Sequence, residues 1–139
     1  MSSPASVLDP RPPTLEPELE ERRQAVRYSP DPFVPVFFAH PLANVPTAGL
    51  IVDVSAVGCR IMAPPTARPM LHWGDSLQII VSYSESARQA KLEGMRLWAH
   101  VVRLVADSRE LSVSAAFSRK GADGDWDRLL TWIDALGDR

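Results

Sequence analysis

Gly49-Leu-Ile-Val-Asp53-Val-Ser55-Ala-Val-Gly58-Cys-Arg-Ile-Met62 is the stretch from which the rest of the chain can be read. Leu50, Val52 and Val54 alternate with Ile51, Asp53 and Ser55, a period of 2 that belongs to a strand. Side chains two apart on a strand share a face, so Asp53 and Ser55 are expected together, opposite the apolar set. Ala56-Val57-Gly58 then turns the chain, with Gly58 free to take a positive φ. Cys59 and Ile61 begin a second apolar alternation from Gly58 to Met62. The pattern is strand, tight turn, strand, with an acid and a hydroxyl at the mouth of the turn. Such a pair has two readings: a small polar reader of a ligand, or a turn that satisfies only its own backbone.

Outward from this hairpin the same period recurs. Phe33 to Phe38 is apolar enough for a strand, but Pro30, Pro32, Pro35, Pro41 and Pro46 keep the surrounding segment out of helices and off interior strands, so an edge strand is expected. Ala63 to Gly74, with Pro64, Pro65 and Pro69, reads as a loop. Leu77, Ile79, Val81 and Tyr83 give a fourth strand, and Ser84 to Gln89 a polar crossing. Leu97, Ala99 and Val101 give a fifth strand that begins as early as Leu92, with Gly94 as a candidate bulge. After a turn at Asp107-Ser108-Arg109, Leu111, Val113, Ala115 and Phe117 alternate with serines and Ala116 in a sixth. Gly121 to Gly124 breaks the pattern. A helix follows, N-capped by Asp125, with Trp126, Leu129, Leu130, Ile133 and Leu136 on its apolar face and Gly137 as its stop. Trp132 falls off that stripe and reads as a contact surface.

The 139 residues suffice for one domain with one core. Residues 1–21 hold Asp9, Glu16, Glu18, Glu20 and Glu21 against Arg11 alone, so the net charge of −2 conceals an acidic tail and a slightly basic remainder. Met1 to Pro13, rich in Pro and Ser, is expected to be disordered, and Glu16 to Val26 to form at most a short helix. Nothing in the charge balance advertises duplex nucleic acid. No apolar run has the length of a membrane span, and no signal-peptide pattern opens the chain, which predicts a cytoplasmic protein without membrane insertion. Cys59 alone permits neither an intrachain disulfide nor a cysteine-cluster metal site. His40, His72 and His100 have no partners at metal-ligand spacing, and Trp98 reads as a sheet-face packing residue. Neither a base near Ser55, nor paired acids, nor a phosphate loop is visible; the chain does not read as an enzyme, and it calls for no cofactor.

Upstream of the hairpin stands Arg22-Arg23-Gln24-Ala25-Val26-Arg27, an Arg-x-x-x-Arg at Arg23 and Arg27. With Asp53-x-Ser55-x-x-Gly58, and in that order, it resembles the two-part signature of PilZ domains, bacterial receptors for cyclic di-GMP. The strand order also fits, so the resemblance covers Arg22 to the C-terminus. It implies a mainly β fold: a six-stranded antiparallel barrel over 22–139 with a C-terminal α-helix and a flexible N-terminal arm, preceded by the tail of residues 1–21. The family usually has glycine where Ala99 and Ser114 stand; both are small, and Ser114 narrows the ligand side.

Cyclic di-GMP carries two phosphates and two guanines. Guanidinium groups grip phosphate in a bidentate fork and stack on purines, and a carboxylate accepts from guanine N–H donors. The resemblance assigns Arg23 and Arg27 to the first role and Asp53 to the second, with a hydroxyl contact from Ser55 and close backbone approach at Gly58. A basic residue at the position of Arg22 goes, in the family, with two intercalated cyclic di-GMP molecules per chain. The implied function is a second-messenger receptor that passes its signal to an unidentified downstream protein, with motility, exopolysaccharide or virulence as family outputs. The alternatives are a PilZ-fold interaction adaptor with weak or no nucleotide binding and, ranked last, a barrel for single-stranded nucleic acid. Apart from the motif, the arginines read as a solvated cluster answering Glu18, Glu20 and Glu21.

Overall fold

The alternations become strands wherever an apolar side chain can reach a common interior. In the computed structural model, which describes residues 26–40, 46–118 and 123–138, six antiparallel strands close into a barrel. They are β1 (Val34–Ala39), β2 (Thr47–Val54), β3 (Gly58–Ala63), β4 (Ser76–Val81), β5 (Arg96–Ala106) and β6 (Leu111–Ser118). The order around the barrel is β1-β2-β3-β6-β5-β4. The tail, the helix expected over Glu16–Val26 (Val26 itself excepted) and both Arg22 and Arg23 lie outside the described residues.

Four strands keep the expected phase, β5 among them with Leu97, Ala99 and Val101 buried. Cys59 and Ile61 of β3, Leu77, Ile79 and Val81 of β4, and Leu111, Val113 and Ala115 of β6 all point inward and are buried. β2 does not keep it. A bulge between Ile51 and Asp53 in its pairing with β3 puts one extra residue into the strand. Ile51 is therefore fully buried and Leu50, expected inside, is 40% exposed. Beyond the bulge the phase recovers: Val54 faces the core and Asp53 faces out.

Other expectations are corrected by local chemistry. β1 is no edge strand, since it pairs with both β2 and β4. Pro35 is tolerated near its start, and its carbonyl accepts from the Ser82 N–H at 3.0 Å. β4 stops at Val81, so Tyr83 stands 81% exposed. The polar crossing is a short helix, α1 (Glu85–Gln89), whose N-cap Ser84 accepts from the Ala87 N–H at 3.1 Å. The loop after β3 contains a 3-10 turn, Pro65–Met70. Gly94 sits in the turn before β5, with φ +71°, and the bulge of β5 falls between Val101 and Arg103 instead.

The C-terminal helix, α2 (Asp123–Gly137), starts before Asp125, which therefore lies inside its first turn and is not its N-cap. The Asp125 carboxylate has other work: Oδ2 accepts from the Arg96 N–H at 3.1 Å and Oδ1 from Arg128 Nη1 at 3.0 Å. Arg128 also donates to the carbonyls of Lys91 (3.0 Å) and Glu93 (2.8 Å), clamping the helix to the turn that leads into β5. The buried stripe is Leu129, Trp132, Ile133 and Leu136, at i, i+3, i+4 and i+7. Trp132 is thus a core residue and no contact surface, while Leu130 is half-buried. Trp126 meets Phe117 of β6 edge-on, with ring centroids 6.2 Å apart. Each buried large apolar side chain contributes about 1.5–3 kcal/mol, so this stripe suffices to dock the helix on the barrel. Among the described residues no helix is long and apolar enough to cross a membrane.

Candidate functional site

The chain entering the barrel is clipped to the end of β2. Tyr28 and Val54 exchange both backbone hydrogen bonds, at 2.8 and 2.9 Å, and Ser29 Oγ donates to the Val52 carbonyl at 3.0 Å. Neighbours along an extended segment point to opposite sides. Tyr28, paired with the inward Val54, packs on the core, and Arg27 is turned outward beside Asp53. Arg27 Nη1 stands 3.7 Å from Asp53 Oδ2.

From the other side comes Arg60 of β3, the cross-strand partner of Asp53, with Nε 3.8 Å from the same Oδ2. Arg60 belongs to neither half of the motif. Its signal was available: it alternates outward between Cys59 and Ile61, across a two-strand hairpin from an acid. The row continues through Ser114 of β6 to the exposed Arg103 of β5, which the register places opposite Ser114. Arg27 and Arg60 therefore flank one carboxylate on the outer barrel surface, and Arg103 stands two strands beyond Arg60 along the same row.

Neither ion pair at Asp53 is close enough to be a hydrogen bond. Oδ1 of Asp53 is buried and accepts no hydrogen bond from the described residues. A half-satisfied, partly buried carboxylate between two arginines is an acceptor that a ligand with N–H donors can complete, and the arginines beside it, 54% and 41% exposed, suit an anion. Beneath them burial pushes the Cys59 thiol up to about 12, Arg27 drawing it down and Asp53 raising it further. It stays a neutral core residue.

Ser55 and Gly58 stand otherwise. Ser55 is fully buried; its N–H donates to the Gly58 carbonyl at 2.8 Å, and its Oγ accepts from the Val57 N–H at 3.2 Å. The hydroxyl is taken up inside the turn. Gly58 is not at positive φ. Its missing side chain is explained by β6, because a Cβ would stand 2.4 Å from the Ala115 carbonyl oxygen. The structure thus brings Arg27, Asp53 and Arg60 together and gives Ser55 and Gly58 roles in shaping the turn. Trp98 and His100 are half-buried on outward positions of β5, in register with Ser118 and Ala116. Among the described residues no group of three or more His, Cys, Asp or Glu side chains is arranged to hold a metal ion.

No protein-family model matches the chain, and no curated protein matches it in sequence. Solved structures do. The PilZ domain of YcgR from Escherichia coli, determined with c-di-GMP, is 24% identical over 84% of this chain and 92% of its own, with a TM-score of 0.58. MrkH of K. pneumonia, in complex with c-di-GMP, has a TM-score of 0.64 at 14% identity, over 83% of this chain and 52% of its own. The Bacillus subtilis inhibitor of motility MotI matches with a TM-score of 0.58 at 23% identity, over 85% of this chain. This chain spans about half the length of that protein, 53%. The fold is that of a PilZ domain.

Proposed function

We propose that this protein is a cyclic di-GMP receptor of the bacterial cytoplasm that relays occupancy of its site to another protein. One observation carries the reading: Arg27 and Asp53, distant in sequence and predicted as a pair from the motif, stand 3.7 Å apart with an acceptor oxygen of Asp53 unused. The PilZ fold, seen with cyclic di-GMP in its E. coli and K. pneumonia neighbours, supports the same ligand.

In this reading the ligand phosphates draw on Arg27, with Arg22 and Arg23 from the preceding arm, and a guanine edge donates to Asp53. Arg60 stays beside the carboxylate when Arg27 turns to phosphate. Ser55 and Gly58 hold the turn that presents Asp53. Arg22 brings a second, intercalated ligand, because two stacked molecules assemble four phosphate charges that a further guanidinium offsets.

Isothermal titration calorimetry tests this directly. Cyclic di-GMP should bind with two molecules per chain, falling to one in Arg22→Leu while binding itself survives. GTP at the same concentration should give no comparable heat. Silence with cyclic di-GMP overturns the receptor reading and leaves the interaction adaptor in its place.

A further inference from the structure

Gly137 ends α2 as its expected stop, but it is not at positive φ, so the backbone there does not by itself require a residue without a side chain. The reason lies in the entering segment. A Cβ on Gly137 would stand 2.9 Å from Tyr28 Oη and 3.3 Å from its Cζ, so the phenol occupies the place of a side chain at 137. The backbone of that same Tyr28 is bonded to Val54, and its neighbour Arg27 faces Asp53. Farther along the segment, Pro30, Pro32 and Val34 face Thr131, Trp132 and Ala135 of α2 across a cleft of about 550 Å³. The segment touches the helix end tightly at Tyr28 and stands off along the cleft.

We infer that Tyr28 is a relay between the Arg27–Asp53 site and the C-terminal turn of α2, so that occupancy of the site fixes the end of the helix and the width of the cleft beside it. For the identity of the ligand this rests on the cyclic di-GMP reading; the mechanical link between segment and helix does not. Because Arg27 and Tyr28 are consecutive in an extended segment, a ligand that pulls the guanidinium outward turns or seats the phenol on the opposite side. Coupling of this kind is reciprocal: whatever shifts the helix end must change the affinity of the site by the same factor.

Two measurements decide it, both on the full chain. Without nucleotide, Gly137→Ala should speed amide exchange at Tyr28 and Val54 by about fivefold, a coupling of ordinary size, and leave Ile61, Leu77 and Val113 unchanged. The double variant Tyr28→Phe, Gly137→Ala, which removes the atom nearest the new methyl, should return most of that loss. With nucleotide, Gly137→Ala should weaken cyclic di-GMP binding by about the same fivefold, although residue 137 lies outside the site, and the double variant should recover it. Unchanged exchange at Tyr28 and Val54 overturns the relay, and so does faster exchange with unaltered affinity. If wild-type protein takes up no cyclic di-GMP, the receptor reading fails by itself, and the exchange result still decides whether the segment and helix are linked.

Discussion

Two arginine–aspartate clusters sit on this barrel, and they are built to opposite specifications. At the base of α2, Arg128 and Asp125 are 3.0 Å apart, and their remaining hydrogen-bonding atoms reach the carbonyls of Lys91 and Glu93 and the Arg96 N–H. At the β2–β3 turn, Arg27 and Arg60 approach Asp53 no closer than 3.7 and 3.8 Å, and one carboxylate oxygen has no described donor. A saturated cluster holds two elements in place and has nothing left to offer a ligand. An unsaturated one contributes little to stability and keeps its hydrogen-bonding capacity for something else.

The contrast breaks most visibly in ligand affinity. Arg27→Ala should cost about 1.5–3 kcal/mol of cyclic di-GMP binding, the range of a charge-assisted hydrogen bond, while the chemical denaturation midpoint barely moves. Asp53→Asn should behave alike, with stability within about 0.5 kcal/mol of wild type. If either variant loses stability and retains affinity, the turn cluster is structural and the comparison fails. Arg128→Met should do the reverse: a loss of about 2 kcal/mol of unfolding free energy by denaturant titration, with calorimetric affinity unchanged.

Below the unsaturated cluster, Cys59 offers a test by pH. Its folded value is about 12 against an ordinary 9.0, so the folded protein holds a proton that the unfolded chain gives up. Its stabilising contribution is complete below pH 9 and is lost as pH rises towards 12, at about 1.4 kcal/mol per pH unit. Stability curves for wild type and Cys59→Ala over that range should converge at the alkaline end; parallel curves would show that the thiol is not buried as described. The smallest effect is expected in the clamp itself. Lys91 takes φ 61° at the end of α1 and there presents its carbonyl to Arg128. Lys91→Gly should relieve that conformation and raise stability by about 0.5–1 kcal/mol, read from the thermal midpoint.

How far the sequence could be read follows from where its rules are local. The alternations of β3, β4, β5 and β6 depend only on side-chain period, and Cys59, Leu77, Leu97 and Val113 face the core as that period requires. Leu50 departs from its period because a bulge is a property of two strands together, and no single-strand pattern announces it. α1 was hidden because five residues are too few for a helical period, although Ser84 and Glu85 are proper start signals. Trp132 escapes the sequence pattern because a stripe through Leu130 fits the helical period nearly as well as the observed one through Leu129, Trp132 and Leu136. At the site, the motif pointed to Arg27 and Asp53, which the fold brings together. Arg60 was missed for want of a cross-strand register, and Arg22 and Arg23 lie outside the described residues. Ser55 and Gly58 are the instructive pair. Both belong to the motif, yet both are demanded by the turn and by Ala115, so a chain could keep them after losing every ligand. In the receptor reading, Asp53 and the arginines are the positions whose substitution separates binding from folding.

Closure of the barrel has a consequence for any protein that would bind to it. Every described strand has a neighbour on each side, β1 included, so no strand of the barrel is a whole edge, and the longest stretch paired on a single side is the end of β5 that runs past β4. Among the described strands, none offers its full length as a template to which a partner, or a second copy, could add a seventh strand. Recognition must instead read side chains, on the barrel's outer face or along α2, where a single substitution can abolish one partnership without touching the ladder that holds the molecule together.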